Sequence, residues 1–305
     1  MSPVRAEDAP DTVDFMWFLD VKTMPGVLLT RTMQEARIVW RHVANVPGLR
    51  ASSVQDDHLH VAVGDAAGKG ELERLLRVLH VALNRHRVER GPLWDPAKVS
   101  IRPSSGLVHE RRKTRYCSLN PCRTGHKYVE DPLEWPWSTH RDLVGLTLVP
   151  VVRPLPDPEG FQRYCTRDSE LQLPESHLPR DPGEGKIPGL TFQELLPRVA
   201  ALLRATEKEV LADCHQRRFL LGVARELLDM PVTAIARAAD VHRSTVIRAP
   251  DPSPDQLRIA RTVARDPRFY PWTEELYRSR VLHRHGRGTR RTITATRPRA
   301  RGGAS

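Results

Sequence analysis

The sequence predicts an α+β protein, with a ferredoxin-like domain built on a mainly antiparallel sheet and an all-α region after it. Three observations predict this class. Residues 15–120 contain elements in the order β-α-β-β-α-β-α, which is a split βαβ arrangement. Apolar residues recur at helical spacing from residue 192 onward. Eight prolines lie between the two regions, which indicates a linker rather than a continuous domain.

Aromatic and β-branched residues predict the strands of the first region, and apolar periodicity predicts its helices. The helix at 70–90 has the clearest pattern, because five leucines follow the spacing of one buried face. The predicted strands are 15–22, 49–54, 58–63 and 99–102, and the predicted helices are 31–46, 70–90 and 107–120.

Proline content sets the remaining boundaries. Each proline removes a backbone donor and disfavours helix at the residue before it, so the proline-rich segment is predicted to be a linker with a short ordered piece near 161–165. The chain is then divided into a flexible N-terminus at 1–14, a first domain at 15–148, a linker at 149–190, a helical domain at 191–275 and a disordered tail at 276–305.

Charge is unevenly distributed along the 305 residues. The net charge is +11, and residues 276–305 contribute +9 of it because they contain nine arginines and no acid. Such a tail has little apolar surface to bury, and its charge suits a polyphosphate such as nucleic acid. The alternative is a solubilising tail with no specific partner.

Composition excludes several classes of protein. Hydrophobic residues make up 39% of the chain, which is enough to build a core. The longest apolar run has about ten residues, whereas a bilayer-spanning helix needs about 20, and residues 1–14 lack the apolar segment of a secretory signal. The four cysteines have irregular spacing unlike a disulfide framework. We therefore expect a cytoplasmic protein with no membrane partner.

Two short motifs in the first domain carry candidate chemistry. His58 and His60 lie two apart on a predicted strand, so both imidazoles point to one face and can reach one divalent ion. Tyr116 and Asn120 lie four apart on a predicted helix and share a helical face. An ion held by two imidazoles and an amide oxygen would polarise a phosphodiester, and the tyrosine hydroxyl would attack the phosphorus.

Each motif also has a purely structural interpretation. Two histidines on a strand can be partly buried polar residues, and a tyrosine four before an asparagine can reflect packing and a helix C-cap. Asp56 and Asp57 directly precede the histidines and are expected to contact the ligands of a metal site.

Four stretches of the first domain occur in a characteristic order. They are 57–60 (DHLH), 83–86 (LNRH) with Gly91 and Trp94, 115–125 (RYCSLNPCRTG) and 130–139 (EDPLEWPWST). In this order they resemble the one-tyrosine HUH transposases, and in particular the REP-associated tyrosine transposases, over about residues 15–145. The chain departs from the family after Trp94, where Asp-Pro-Ala-Lys stands in place of the frequent Gln and Arg.

The resemblance implies an HUH domain with a defined site. His58 and His60 would bind Mg²⁺ or Mn²⁺, Asn120 would complete the metal site, and Tyr116 would be the nucleophile. The implied reaction is cleavage of single-stranded DNA, often beside a hairpin, which leaves a 5′-phosphotyrosine and a free 3′-OH. The implied protein is a DNA transposase or single-strand endonuclease, nucleoid-associated in the cytoplasm and either a monomer or a homodimer.

The segment Trp135-Pro136-Trp137 has two interpretations. Proline-flanked tryptophans are mostly buried, so the preferred one is a clamp that packs the chain against the sheet. The other is stacking of the tryptophans on an unpaired base.

Residues 232–248 of the helical domain are predicted to form a helix-turn-helix. Ala236 is small where two helices would approach, and Asp240 can adopt the left-handed conformation that the turn requires. The second helix would present four residues to the major groove of duplex DNA: Arg243, Ser244, Thr245 and Arg248. The alternative is a helical bundle that only packs or dimerises.

This segment resembles the replication-initiator type of DNA-binding domain that some REP-associated transposases carry. The expected partners are therefore single-stranded or hairpin DNA for the first domain and duplex DNA for the second. The main rival function is a non-catalytic, sequence-specific DNA-binding regulator derived from a transposase. A replication or mobilisation initiator with the same chemistry is a further alternative.

Overall fold

One four-stranded sheet organises the first region of the protein. A computed structural model of the chain describes residues 15–281 except 89, 124–126, 169–170, 172 and 175. The strands are β1 (Phe15–Thr23), β2 (Leu49–Val54), β3 (His58–Gly64) and β4 (Trp94–Ser105), and the helices that accompany them are α1 (Met33–Ala44), α2 (Gly68–His86) and α3 (Leu107–Leu119).

The sheet has the order β2-β3-β1-β4, and each neighbouring pair is antiparallel. Strand β3 is inserted between β2 and β1, as the split βαβ arrangement requires. This topology confirms the predicted α+β class and the antiparallel sheet. Strand β4 is longer than the predicted 99–102, because an edge strand tolerates the two prolines, Pro96 and Pro103, that bracket that segment.

The two faces of the sheet have different coverings, because successive strand residues point to opposite sides. Leu19 and Leu59 belong to the main core, beneath helices α1 and α2. Phe18 and Ala62 belong to a second, smaller core with Cys117 of α3. Helix α3 therefore crosses the face of the sheet that α1 and α2 leave uncovered.

The predicted linker contains a helix that packs against the first region. Helix α5 (Pro158–Thr166) follows a short helix α4 (His140–Leu143) and contacts α3. Asp157 caps α5 by accepting from the Gly160 N–H, and Pro158 occupies the first turn, where a missing backbone donor costs nothing. The proline-rich segment thus includes an ordered helix somewhat longer than the predicted 161–165.

The C-terminal region is helical, as its periodicity predicts. Its helices are α6 (Phe192–Leu202), α7 (Glu207–Ala212), α8 (Cys214–Leu227), α9 (Val232–Ala238), α10 (Arg243–Ile247), α11 (Pro254–Val263) and α12 (Glu274–Val281). The predicted start of the tail at 276 falls inside α12, and residues 282–305 lie outside the described residues, as does the predicted N-terminus at 1–14. The division into domains remains a prediction.

The segment after α11 returns to the first region and packs on its tryptophans. Trp135 and Trp137 are 1% and 3% exposed, and Trp272 makes edge contacts with both rings. The Trp272 indole N–H also donates to the Glu134 carbonyl oxygen at 3.0 Å. The packing interpretation of Trp135-Pro136-Trp137 is therefore confirmed, since neither ring is open to a base.

The cysteines and the length of the apolar helices are the remaining features of the fold. All four cysteines are free, and Cys214 alone among them is exposed. Within the described ranges, the structure has no helix with both the length and the apolar content needed to cross a membrane.

Candidate active site

The two histidines lie side by side on β3, on the sheet face that α3 covers. His58 and His60 are 4% and 1% exposed, and their ring centroids are 5.0 Å apart. His60 lies opposite Asp20 of β1 and Ser53 of β2 in the ladder, so it occupies the middle of the sheet. The alternation of β3 thus brings both imidazoles to one face, as the sequence predicts.

Asn120 joins the histidines from the end of α3. It is the C-cap residue of that helix, and its backbone N–H donates to the Tyr116 carbonyl. Its Nδ2 lies 3.1 Å from His58 Nε2 and 3.5 Å from Gln55 Oε1. Turned by 180°, the same amide would present Oδ1 towards His58. The Asn120 amide therefore lies beside the His58 ring.

Tyr116 lies one helical turn before Asn120, over His60. Its ring meets the His60 ring edge-on, with centroids 4.9 Å apart and an interplanar angle of 82°. The Arg123 guanidinium covers the tyrosine ring at 4.5 Å from the centroid. Partial burial and then the Asp20 carboxylate raise the pKa of Tyr116 above its usual range, whereas Arg123 acts to lower this pKa.

His60 is held neutral, and neither of its ring nitrogens has a hydrogen bond to any described residue. The nearest carboxylate oxygen, Asp20 Oδ1, is 3.5 Å from Nδ1 but makes no hydrogen bond with it. Burial, and after it the His58 ring, lowers the pKa of His60 well below its usual range. A neutral imidazole with an unused lone pair is the form that binds metal ions.

The loop before β3 orients His58. Asp57 Oδ1 contacts His58 Nδ1 at 2.5 Å, so the other ring nitrogen faces Asn120. This is the contact that the sequence predicts for Asp57, and a carboxylate in that position fixes the ring of a metal-binding histidine. Asp56 instead accepts a hydrogen bond from the Tyr128 hydroxyl at 2.5 Å.

Gln55 is a site residue that sequence reasoning missed. It is 1% exposed, and its Nε2 donates to Ser53 Oγ at 2.7 Å while its Oε1 faces Asn120. The sequence offered no signal for it, because a polar residue is ordinary in the loop between two strands. Its role depends on the position of Asn120, which lies 65 residues later in the chain.

The donor set fits a divalent metal ion. Two imidazoles and one amide converge, the buried ring of His60 keeps both nitrogens unused within the described structure, and Asp57 fixes the ring of His58. Such mixed nitrogen and oxygen donors occur in divalent metal sites. Within the part of the chain that the structure describes, no group of three or more His, Cys, Asp or Glu side chains is placed to hold a metal.

Cationic side chains surround this site. Lys22, Lys113 and Arg123 each lower the pKa of His60 through their charge, after burial and His58. The Lys113 ammonium lies 4.3 Å from the ring centroid of Phe18, which in turn meets Tyr116 edge-on. Positive charge beside Tyr116 suits a polyanion such as a nucleic acid.

The predicted helix-turn-helix segment contains two short helices, α9 and α10. Asp240 lies between them with φ of 52°, in the left-handed conformation expected of the turn. Ile235 and Val246 are fully buried. Of the predicted DNA-facing residues, two are exposed and two are half-buried: Arg243 and Arg248 are exposed, Ser244 and Thr245 half-buried.

Helix α10 is fixed from behind by α8. The Arg225 guanidinium donates to the carbonyls of Val246, Ile247 and Ala249 at 3.0–3.2 Å. The first two carbonyls belong to the last turn of this five-residue helix and the third follows it, where carbonyls have few intrahelical partners. The arginine therefore caps the short helix whose exposed side would face DNA.

Neither a protein-family model nor a curated protein matches the chain. A solved structure of a REP-associated tyrosine transposase bound to a REP hairpin matches with 19% identity and a TM-score of 0.35, covering 58% of this chain and all of that one.

Proposed function

We propose that this protein is a metal-dependent tyrosine transposase that cleaves and rejoins single-stranded DNA. One observation carries the proposal. Two histidines of one strand, the amide of Asn120 and the phenol of Tyr116 converge on one face of the sheet, with ring centroids 4.9–5.0 Å apart and the amide 3.1 Å from His58. The two histidines and the other two residues lie about 60 positions apart in the chain, so the fold itself brings them together.

Each side chain has a role in the proposed reaction. His58, His60 and Asn120 would hold Mg²⁺ or Mn²⁺, which when bound polarises the scissile phosphate. The Tyr116 oxygen forms a bond to phosphorus and loses its proton, while the bond from phosphorus to the 3′-oxygen breaks and that oxygen leaves as a 3′-OH. A 3′-OH can later reverse the step, because the phosphotyrosine keeps the diester bond energy.

The charge around the site favours a nucleic-acid substrate. Lys22, Lys113 and Arg123 provide positive charge beside the nucleophile. Single-stranded or hairpin DNA is the substrate class that the sequence resemblance implies. The exposed Arg243 and Arg248 would then contact duplex DNA from the C-terminal region, in a nucleoid-associated cytoplasmic protein.

A covalent-adduct assay tests this function. The full chain, with Mn²⁺ or Mg²⁺, is mixed with 3′-labelled single-stranded DNA that carries a hairpin from beside its gene, and the products are separated on a denaturing gel. We expect the label to shift to protein size with wild type, and not with Tyr116→Phe or after chelation of the metal. Hairpins that are bound but never cleaved would favour the non-catalytic regulator instead.

A further inference from the structure

The last described helix, α12, contacts the first region through several side chains, and one of these contacts is the buried hydroxyl of Tyr277. Tyr277 of α12 is 1% exposed, and its hydroxyl oxygen lies 2.5 Å from Thr30 Oγ1. The same hydroxyl donates to the Thr30 carbonyl oxygen at 3.1 Å. Thr30 is itself 1% exposed, so a residue 247 positions earlier in the chain is joined to α12 inside the protein.

Thr30 in turn holds the loop that precedes His58. Its hydroxyl donates to the Gln55 carbonyl at 3.3 Å, and its backbone N–H donates to the Asp56 carbonyl at 3.2 Å. The Leu29 N–H also donates to the Asp56 carbonyl, at 2.5 Å. The backbone of the 55–57 loop is therefore hydrogen-bonded to the same short segment that the Tyr277 hydroxyl contacts.

The 55–57 loop carries side chains of the candidate active site. Gln55 Oε1 faces the Asn120 amide at 3.5 Å, and Asp57 contacts the ring of His58. The Gln55 N–H donates to the His58 carbonyl at 3.0 Å. Hydrogen bonds thus run without interruption from Tyr277 through Thr30 and the loop to His58 and Asn120.

We propose that the Tyr277 hydroxyl is a positioning group for the candidate active site, acting through Thr30 on the 55–57 loop. The C-terminal helix α12 is then a functional part of the catalytic region. The positioning stands on the contacts alone, and its consequence for catalysis rests on the proposed function. A buried network of this kind holds its members only while each one has its partner.

A single substitution distinguishes the contribution of the Tyr277 hydroxyl from that of its ring. That ring meets Trp137 and Trp272 at centroid distances of 5.4 and 6.4 Å, and a phenylalanine would keep both contacts. Tyr277→Phe therefore removes the bonds to Thr30 and leaves the aromatic packing. Tyr270→Phe is the matched control, because it removes a hydroxyl from the same segment that donates to Glu134 at 3.0 Å and not to Thr30.

Hydrogen exchange of the full chain gives a readout that does not depend on activity. We expect Tyr277→Phe to speed amide exchange in peptides covering 28–31 and 54–58 by about two- to tenfold, the range expected for removal of one hydrogen bond. Tyr270→Phe should leave those peptides unchanged. Equal exchange in the two variants at these peptides would overturn the inference.

Kinetics and metal binding then test the catalytic consequence. We expect Tyr277→Phe to lower kcat for single-strand cleavage and to weaken Mn²⁺ binding severalfold, with the KM for DNA unchanged. Equal kcat and Mn²⁺ affinity in Tyr277→Phe and Tyr270→Phe would contradict this consequence. If wild type cleaves no DNA while Tyr277→Phe still loosens the 54–58 peptide, the proposed function fails and the positioning holds.

Discussion

The Arg123 guanidinium lies 4.5 Å from the ring centroid of Tyr116, and its charge opposes the effect of burial on that phenol. Burial and Asp20 raise the pKa of Tyr116, whereas Arg123 lowers it. In the proposed reaction the tyrosine attacks as the phenolate, so this arginine would increase the reactive fraction of Tyr116 at neutral pH. The arrangement places a cation where the neighbouring carboxylate would otherwise disfavour negative charge.

Arg123→Met should therefore raise the pKa of Tyr116. Below that pKa the phenolate fraction falls about tenfold for each unit by which the pKa rises, so cleavage should slow at neutral pH and its pH profile should move to higher pH. Profiles of log kcat against pH check this. Arg77→Met, which removes an exposed charge from α2 on the other side of the sheet, should leave the profile in place. An unmoved profile in Arg123→Met would contradict the assignment.

Asn120→Ala should weaken binding of Mn²⁺ by at least the about 10–100-fold that losing a residue hydrogen-bonded to a ligand costs, because it removes one of the three candidate ligands themselves. Titration of Mn²⁺ followed by electron paramagnetic resonance measures this without DNA. Asn84→Ala is the control, since the Asn84 amide donates to the Gly91 carbonyl at 3.1 Å and does not join the histidines of β3. Equal affinities in the two variants would remove Asn120 from the ligand set.

Gly222→Ala should destabilise the protein by about 1–3 kcal/mol. A Cβ at this position of α8 would overlap the Pro250 carbonyl oxygen, so the helix and the segment after α10 would have to separate. Gly70→Ala in α2 is the matched control, because a Cβ there meets nothing within 4 Å and alanine is the better helix former. Chemical denaturation of both variants checks the opposite signs.

The free energy of unfolding should fall as the pH drops from about 6.5 towards 4. Burial lowers the pKa of His140 to about 4, and it also lowers the pKa of His60. The unfolded chain binds protons at these histidines below its own pKa of about 6.5 while the folded chain does not, so acid favours unfolding. His140→Asn should reduce the stability difference between pH 7 and pH 5. An unchanged difference would show that His140 does not contribute.

Arg243→Ala and Arg248→Ala should weaken duplex binding without affecting the covalent adduct. Each removes one exposed cation from the predicted DNA-facing segment, so the slope of log affinity against log salt should decrease by about one for each phosphate that the protein no longer binds. Lys208→Ala, an exposed cation on α7, is the control. A slope equal to that of the control would favour a helical bundle that only packs.

The alternation and spacing of residues within single elements were sufficient to predict the sheet. They also predicted that the four candidate site residues form two neighbouring pairs. Strand alternation places His58 and His60 on one face, and helical spacing places Tyr116 and Asn120 one turn apart. Both rules act within a single element, and the structure follows them. The boundaries of β4 were wrong because the tolerance of an edge strand for proline depends on where the strand lies in the sheet.

The supporting residues could not be predicted in the same way. Arg123 reaches the tyrosine ring only because the chain turns after Asn120, and Tyr277 reaches Thr30 across 247 positions of sequence. Such contacts depend on how distant elements pack together, and the periodicity of the sequence does not predict that packing. The helix at 158–166 was only partly predicted, because proline at a helix start has a different meaning from proline in a linker.

The proposed reaction requires a covalent bond between the Tyr116 oxygen and a 5′-phosphate. After reaction with hairpin-bearing single-stranded DNA, digestion with nuclease and trypsin and analysis by mass spectrometry would locate that bond. The account predicts a nucleotide phosphate on the peptide that contains Tyr116, formed only with the divalent metal. An unmodified Tyr116 peptide in a sample whose DNA has been cleaved would contradict it.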